Sequence, residues 1–192
     1  NILPSERLHG ALISAEGGLL YVTPNFERPK LETLIRLPGE IAVWEEEEDP
    51  FALIAGRIGG RIGLDPAMSF GFAARLMAMP GLQVSSAQDL IAAQRRIKSP
   101  AELAILQEAM TASLAVQKAV HAGLRRGIGT REVTDFIDAA HGALGLGPVF
   151  AAAQFGEATA YPHGVPHEQR LAEGDMVLVD LGGNLHGYHS DI

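Results

Sequence analysis

The 192-residue sequence contains no cysteine. Disulfide bonds and thiolate metal sites are therefore excluded within it, and any metal ion would have to be held by oxygen and imidazole ligands. Because disulfides belong to oxidising compartments, their absence favours a cytoplasmic protein.

Positive charge and long apolar runs are also scarce. The 15 lysines and arginines are outnumbered by 23 aspartates and glutamates, which gives a formal net charge of −8. Without a basic cluster the chain lacks the electrostatic footprint of a nucleic-acid binder. No apolar run approaches the roughly 20 residues that a membrane span needs, so we expect neither nucleic acid nor membrane as a partner.

The first half of the sequence alternates between strand and helix patterns. Short apolar runs read ALIS, LLYV, EIAVW and RIGL, and helical patterns lie near residues 28–36, 50–55 and 67–79. Such alternation is typical of an α/β layer domain with a mostly parallel sheet. We assign residues 1–92 to this first domain.

A clear helix start marks the second half. Ser99, Pro100 and Glu102 supply an N-cap, a proline at the first helical position and a capping-box acid. Apolar residues recur at steps of three and four from Leu103 to Leu124, so the helix should bury one stripe and run to about Arg126.

A second helix and three strands follow. Thr130 is placed to cap the helix, with Val133 and Ile137 on its apolar face. VFAAAQF, MVLVDLG and GYHSDI then read as strands joined by turns. Residues 93–192 are therefore predicted to form an α+β arrangement of two helices and an antiparallel sheet.

Two aspartates stand in the last predicted hairpin. A turn at Leu185 and His186 places Asp180 opposite Asp191, although a one-residue register error would spoil the pairing. Facing carboxylates beside an apolar strand repel each other and lose hydration, so they need protons or cations. Two divalent ions about 3.5–4 Å apart would fit. The alternative is an exposed edge residue at Asp191 and a capped polar group at Asp180.

A proline-flanked histidine precedes this hairpin. Pro162 and Pro166 hold the backbone extended around His163, which could reach the same site as a proton shuttle or hydrogen-bond donor. Tyr161 and Phe155 could line a pocket for a proline ring, although aromatic residues at such positions more often belong to the core.

The stretch PHGVPHEQRLAEGDMVLVDLGGNLHGYHSDI resembles the pita-bread metallopeptidase family of prolidase, aminopeptidase P and methionine aminopeptidase, with creatinase as a relative. The upstream RRIKSPAELAILQEA is similar to the sequence that opens the catalytic domain of prolidase and aminopeptidase P. The resemblance implies a creatinase-like N-terminal α/β domain followed by part of an α+β pita-bread catalytic domain.

The resemblance also implies an activity and a site. It implies an Xaa-Pro dipeptidase of the prolidase type, in which a metal-bridging hydroxide attacks the peptide carbonyl. Asp180 resembles the aspartate that chelates one metal ion, Asp191 the aspartate that bridges both, and His163 the histidine that assists the tetrahedral intermediate. The implied cofactors are two divalent ions, manganese first with zinc or cobalt as alternatives, and the implied assembly is a homodimer.

Other readings stay open. In the family the remaining ligands, a histidine and two glutamates, lie well downstream of the second aspartate, so we expect the chain to be the N-terminal part of a longer protein. The alternatives are an Xaa-Pro aminopeptidase that acts on longer peptides, metal-free chemistry of the creatinase type, and a catalytically inactive protein that binds peptides or partners.

Overall fold

The computed structural model describes residues 6–192 and divides into two compact units between Arg96 and Ile97. The division falls four residues beyond the boundary expected at residue 92. The difference has a structural reason, because helix α4 (Gln88–Arg96) crosses residue 92 and was not predicted as an element.

The first unit has the α/β alternation that the sequence predicts. Its strands are β1 (Gly10–Ile13), β2 (Leu19–Pro24), β3 (Glu40–Trp44), β4 (Gly60–Leu64) and β5 (Leu82–Ser86). Its helices are the 3-10 turn Asn25–Glu27, α1 (Arg28–Leu34), α2 (Pro50–Arg57), α3 (Phe70–Met77) and α4. Strands β2 and β3 pair in parallel, as do β4 and β5, whereas β1 runs antiparallel to β2.

The core of the first unit forms where β2, β3 and α2 pack together. Val22, Trp44 and Phe51 are buried there, and the Trp44 indole donates to the Leu8 carbonyl at 3.3 Å. Asp49 caps α2 by accepting from the Phe51 amide at 2.9 Å. Burial of these large side chains is the main source of stability for such a unit.

The second unit contains two helices and an antiparallel sheet. The helices are α5 (Pro100–Gly123) and α6 (Thr130–Ala143), and a 3-10 turn spans Gly156–Ala160. The strands are β6 (Gly147–Phe155), β7 (Val177–Leu185) and β8 (Tyr188–His189), in the order β6-β7-β8. Both pairings are antiparallel, and one face of β6 and β7 packs on the helices. The predicted α+β order of elements is thus present.

Helix α5 begins as its sequence predicts. The Ser99 hydroxyl accepts from the Glu102 amide at 3.3 Å, and the Glu102 carboxylate accepts from the Ser99 amide at 2.6 Å. The helix ends at Gly123, however, and not near Arg126. The two reciprocal bonds satisfy backbone N–H groups that an uncapped helix would leave without partners.

The buried stripe of α5 differs from the predicted one. The fully buried residues are Ala109, Ser113, Val116 and Val120, whereas Leu103 is 55% and Leu114 45% exposed. Val120 belongs to both the predicted and the observed stripe, and the observed stripe includes a serine. Hydrophobicity alone predicts that the leucines of this helix are the buried residues.

The predicted cap of α6 is also corrected. Gly129 is the N-cap residue, and Thr130 is already helical. The Thr130 hydroxyl accepts from the Gln169 amide at 3.4 Å instead, in the segment that leads to β7. Among residues 6–192, no helix is both long enough and apolar enough to cross a membrane.

Candidate metal-binding hairpin

The turn of the β7–β8 hairpin lies one residue later than predicted. His186 and Gly187 form the two-residue loop with φ of 52° and 89°, the positive values that a type I′ turn requires. Asn184 steadies the loop by accepting from the Gly187 amide at 3.1 Å. Leu185 therefore pairs with Tyr188, and Asn184 with His189.

This register corrects the predicted pairing of the two aspartates. Leu181 and Ile192 exchange both backbone hydrogen bonds, at 3.0 and 3.1 Å, so Asp191 falls opposite Gly182. Asp180 is then the diagonal neighbour of Asp191 and not its direct partner. Diagonal neighbours lie about 7–8 Å apart and still share one face of the sheet.

The space between the aspartates is kept free of a side chain. A Cβ atom added to Gly182 would lie 2.5 Å from the ring of Phe150 and 2.5 Å from the Ser190 carbonyl oxygen. Only glycine fits there. We call the surface formed by Asp180, Gly182, Asp191 and Phe150 the carboxylate face.

The two sides of β7 have different environments. Leu181 is fully buried on the helix side, whereas Asp180 on the carboxylate face is half-buried and Asp191 is exposed. Residues that alternate along a strand point to opposite faces, so burial of Leu181 fixes which way Asp180 points. The carboxylates therefore face away from the helices.

His163 lies on an exposed loop that is held from below by a buried glutamine. Gln154 of β6 is 3% exposed and belongs to the same side of the sheet as Asp180. With its amide oriented to satisfy the hydrogen bonds, it donates to the Ala158 and Tyr161 carbonyls at 2.7 and 3.0 Å and accepts from the Gly164 amide at 3.0 Å. No pattern in the sequence indicates this role of Gln154.

Two tethers connect β8 and the residues after it to the helices. The Tyr188 hydroxyl donates to Glu102 at 2.8 Å, and this bond raises the pKa of Tyr188. Behind the sheet, Ser113 lies 2.6 Å from the Ser190 hydroxyl and 2.9 Å from Nε2 of His141. Burial lowers the pKa of His141. The sequence analysis identified none of these contacts.

Several candidates from the sequence are not assembled into a site. Phe155 is 3% exposed in the core, so it cannot line a substrate pocket, whereas Tyr161 is 51% exposed. A groove of about 510 Å³ runs along the helix side of β7, where Gln117, Val120 and Val177 line it, and it contains none of the predicted site residues.

The donor chemistry fits a hard divalent cation, but the described residues supply only part of a site. Carboxylate oxygens suit manganese, magnesium, zinc and cobalt. Asp180 and Asp191 would hold such ions on the carboxylate face. Within residues 6–192, no group of three or more histidine, aspartate or glutamate side chains is placed to hold a metal ion.

Solved structures share this architecture. The dipeptidase PepE from Mycobacterium ulcerans superposes with a TM-score of 0.90 at 28% identity, covering 98% of this chain and 53% of that one. A dipeptidase from Pyrococcus horikoshii gives 0.83 at 25% identity, covering 97% and 53%. The Xaa-Pro dipeptidase from Bacillus anthracis, 22% identical with a TM-score of 0.77, supports the fold alone. An α/β domain followed by part of a pita-bread domain is therefore the architecture of this chain.

Sequence comparison gives the family. Residues 104–192 match the sequence model of metallopeptidase family M24. An uncharacterized peptidase of Schizosaccharomyces pombe is 31% identical over 180 residues, covering 90% of this chain and 39% of the relative. YkvY of Bacillus subtilis is 32% identical over 199 residues, covering 98% and 54%. The chain thus spans about half the length of its relatives or less, and the predicted family and fold class are confirmed.

Proposed function

We propose that the protein hydrolyses Xaa-Pro dipeptides with the aid of two divalent metal ions. The observation that carries the proposal is the carboxylate face, where Asp180 and Asp191 share one side of the hairpin with Gly182 between them. Two carboxylates that share one face of a sheet repel each other, and a bound cation between them relieves this repulsion.

The three predicted site residues would have separate parts in the reaction. Asp180 would hold one ion, and Asp191, opposite Gly182, would lie between two. The bound ions would polarise the peptide carbonyl and lower the pKa of an attacking water. His163, on the loop held by Gln154, would donate a hydrogen bond to the carbonyl oxygen as negative charge develops there.

The preference for dipeptides rests on the structural relatives. Two solved structures that are at least 25% identical to this chain are both described as dipeptidases. The proline preference rests on the resemblance in sequence, and exposed Tyr161 offers an apolar ring surface beside the His163 loop. An Xaa-Pro aminopeptidase is the second candidate, because neighbours with TM-scores of 0.71 and 0.72 are aminopeptidases of known structure.

The test compares three substrates on the natural full-length protein loaded with manganese. Ala-Pro, Ala-Pro-Ala and Ala-Ala differ only in length and in the residue after the scissile bond. We expect Ala-Pro to give the highest kcat/KM. A clear preference for Ala-Pro-Ala would indicate an aminopeptidase, and no hydrolysis of any of them by metal-loaded protein would favour the inactive binding protein.

Three further properties are part of this proposal. Manganese is proposed as the ion because carboxylate-rich sites suit it, and metal analysis of the purified protein tests this. A homodimer is proposed from the resemblance and is tested by light scattering. A cytoplasmic location is proposed from the cysteine-free sequence and is tested by cell fractionation.

A further inference from the structure

Three polar residues with no part in the proposed chemistry are fully buried behind the carboxylate face. Ser113 of α5, His141 of α6 and Ser190, next to Asp191, are each 0% exposed. They form one hydrogen-bonded chain, with 2.9 Å from His141 Nε2 to Ser113 Oγ and 2.6 Å from there to Ser190 Oγ. Buried polar groups are costly unless satisfied, so the arrangement needs a reason.

The hydrogen bonds of Ser190 favour one direction of donation through this hydrogen-bonded network. The Ser190 hydroxyl donates to the Gly183 carbonyl at 3.2 Å and accepts from the Gly183 amide at 2.9 Å. Because a hydroxyl has one proton, a Ser190 that donates to Gly183 accepts from Ser113, and His141 then donates to Ser113 from Nε2. In the reverse direction Ser190 would donate to Ser113, and Ser113 would donate to Nε2 of His141.

The other nitrogen of His141 agrees with donation from Nε2. Nδ1 is buried and has no hydrogen-bond partner among the described residues. In the reverse direction Nδ1 would carry the proton, and a buried N–H would lack an acceptor, which is destabilising. With the proton on Nε2, only a lone pair is unsatisfied. Burial also lowers the pKa of His141, which favours the neutral ring.

The hydrogen-bonded network of His141, Ser113 and Ser190 ends at the residue immediately before Asp191. The two Ser190 bonds to Gly183 fix the strand position immediately before Asp191, and the Leu181–Ile192 pair fixes the position immediately after it. A Cβ atom at Gly183 would lie 3.1 Å from the His141 ring, so the imidazole packs directly on this glycine.

We propose that Ser113, His141 and Ser190 are positioning residues that hold the Asp191 backbone in register with β7, with His141 as the neutral Nε2–H tautomer. The link to metal binding rests on the proposed function. The three residues do not act as a nucleophile and its base, because all of them are fully buried on the side of the sheet away from the carboxylates.

The test compares variants of the natural full-length protein. Ser113→Ala and His141→Leu each remove a hydrogen bond of the buried network. His141→Gln keeps a side-chain N–H that can donate to Ser113, and a side-chain oxygen beside it. Val116→Ala is the matched control, because Val116 is a buried core residue of α5 three positions from Ser113 and its side chain has no group that can form a hydrogen bond.

Three measurements separate positioning from simple loss of stability. Calorimetric titration gives the manganese affinity, hydrogen exchange gives the protection of the Ser190 and Ile192 amides, and nitrogen NMR gives the His141 tautomer. We expect Ser113→Ala and His141→Leu to weaken the affinity about tenfold or more and to expose these two amides. His141→Gln should restore both, and Val116→Ala should leave both unchanged.

The outcomes distinguish this inference from the proposed function. Unchanged affinity and protection in Ser113→Ala and His141→Leu would overturn the positioning role, as would an equal loss in Val116→Ala or a proton on Nδ1. If the unsubstituted protein binds no metal ion, the proposed function fails. Faster hydrogen exchange of the Ser190 and Ile192 amides in Ser113→Ala and His141→Leu alone would then still support the positioning of Asp191. Unchanged protection of these amides would overturn it.

Discussion

The two faces of the β6–β7–β8 sheet are built from the same strands and differ in almost every physical property. The helix side contains buried Leu181 and Ser190, and its polar groups bond to one another. The carboxylate face contains half-buried Asp180, exposed Asp191 and glycine between them. Because side chains alternate along a strand, a buried face and a more exposed polar face lie back to back on the same sheet.

The backbone position of Asp191 on the carboxylate face depends on hydrogen bonds made by its two neighbours in the chain. Asp191 is exposed, but Ser190 and Ile192 on either side of it form hydrogen bonds with β7. Substitutions of the two carboxylates should therefore change chemistry with little effect on folding, and substitutions of the buried serine and histidine residues should change folding first.

The largest expected effect is on the carboxylate face. Asp180→Asn and Asp191→Asn should each lower kcat/KM by at least about a hundredfold, because a neutral amide binds a divalent ion weakly. The free energy of unfolding without metal should stay the same or rise slightly, since a repulsion between like charges is removed.

The control for these variants is Asp135→Asn, which neutralises an exposed carboxylate on α6. It should leave turnover and bound manganese unchanged. Full activity and full metal content in Asp180→Asn or Asp191→Asn would disprove the site assignment.

Two adjacent glycines allow a direct comparison of the faces. Gly182→Ala should destabilise the protein by about 3 kcal/mol, because the new Cβ meets the Ser190 carbonyl, which cannot move without shifting β8. Gly183→Ala should cost about 1–2 kcal/mol, because its nearest contact is the flexible end of Leu146. Urea unfolding of both variants measures the difference, and an equal cost would show that β8 moves freely.

A third prediction concerns pH. Because burial lowers the pKa of His141, the unfolded chain takes up a proton below about pH 6.5 while the folded protein does not. The free energy of unfolding should therefore fall as the pH drops below about 6.5, until the folded-state pKa is reached, and should be independent of this group above about 7.5. Urea unfolding across this range checks the sign.

His141→Gln should flatten that pH dependence for the second unit. His9 of the first unit has a pKa that is also lowered by burial, so His9→Gln is the matched control that removes a similar dependence from the other unit. A slope unchanged by His141→Gln would mean that the imidazole is not buried as a neutral group.

The smallest expected effect is that of Tyr188→Phe. It removes the hydroxyl that donates to Glu102 at 2.8 Å, at the start of β8 and close to solvent. The capping box of Glu102 with Ser99 remains, so stability should fall only slightly. A loss of manganese affinity as large as that of Ser113→Ala would show that this tether, and not the buried chain, positions Asp191.

Elements specified by neighbouring residues could be predicted. The capping box at Ser99 and the Asp49 cap of α2 join residues two or three positions apart, and both are present. The alternation of elements in the first unit follows in the same way from local apolar patterns. The roles of Asp180, Asp191 and His163 stay predictions, because the described residues do not assemble a complete site.

The sequence does not predict features that depend on contacts between residues far apart in the chain. The hairpin register differed because His186 adopts a positive φ, which its residue type does not require. Ser113 was overlooked because a serine does not fit an apolar stripe, and His141 because nothing in its neighbours indicates burial.

The sequence alone predicts the family resemblance, the order of the elements and the presence of two aspartates in one hairpin, because these depend on composition and on residues close in the chain. It does not predict that Asp180 and Asp191 are diagonal neighbours, or that two serines and a histidine form a buried hydrogen-bonded network next to Asp191. These depend on burying Leu181 and on satisfying every buried donor, which are properties of residues up to 77 positions apart.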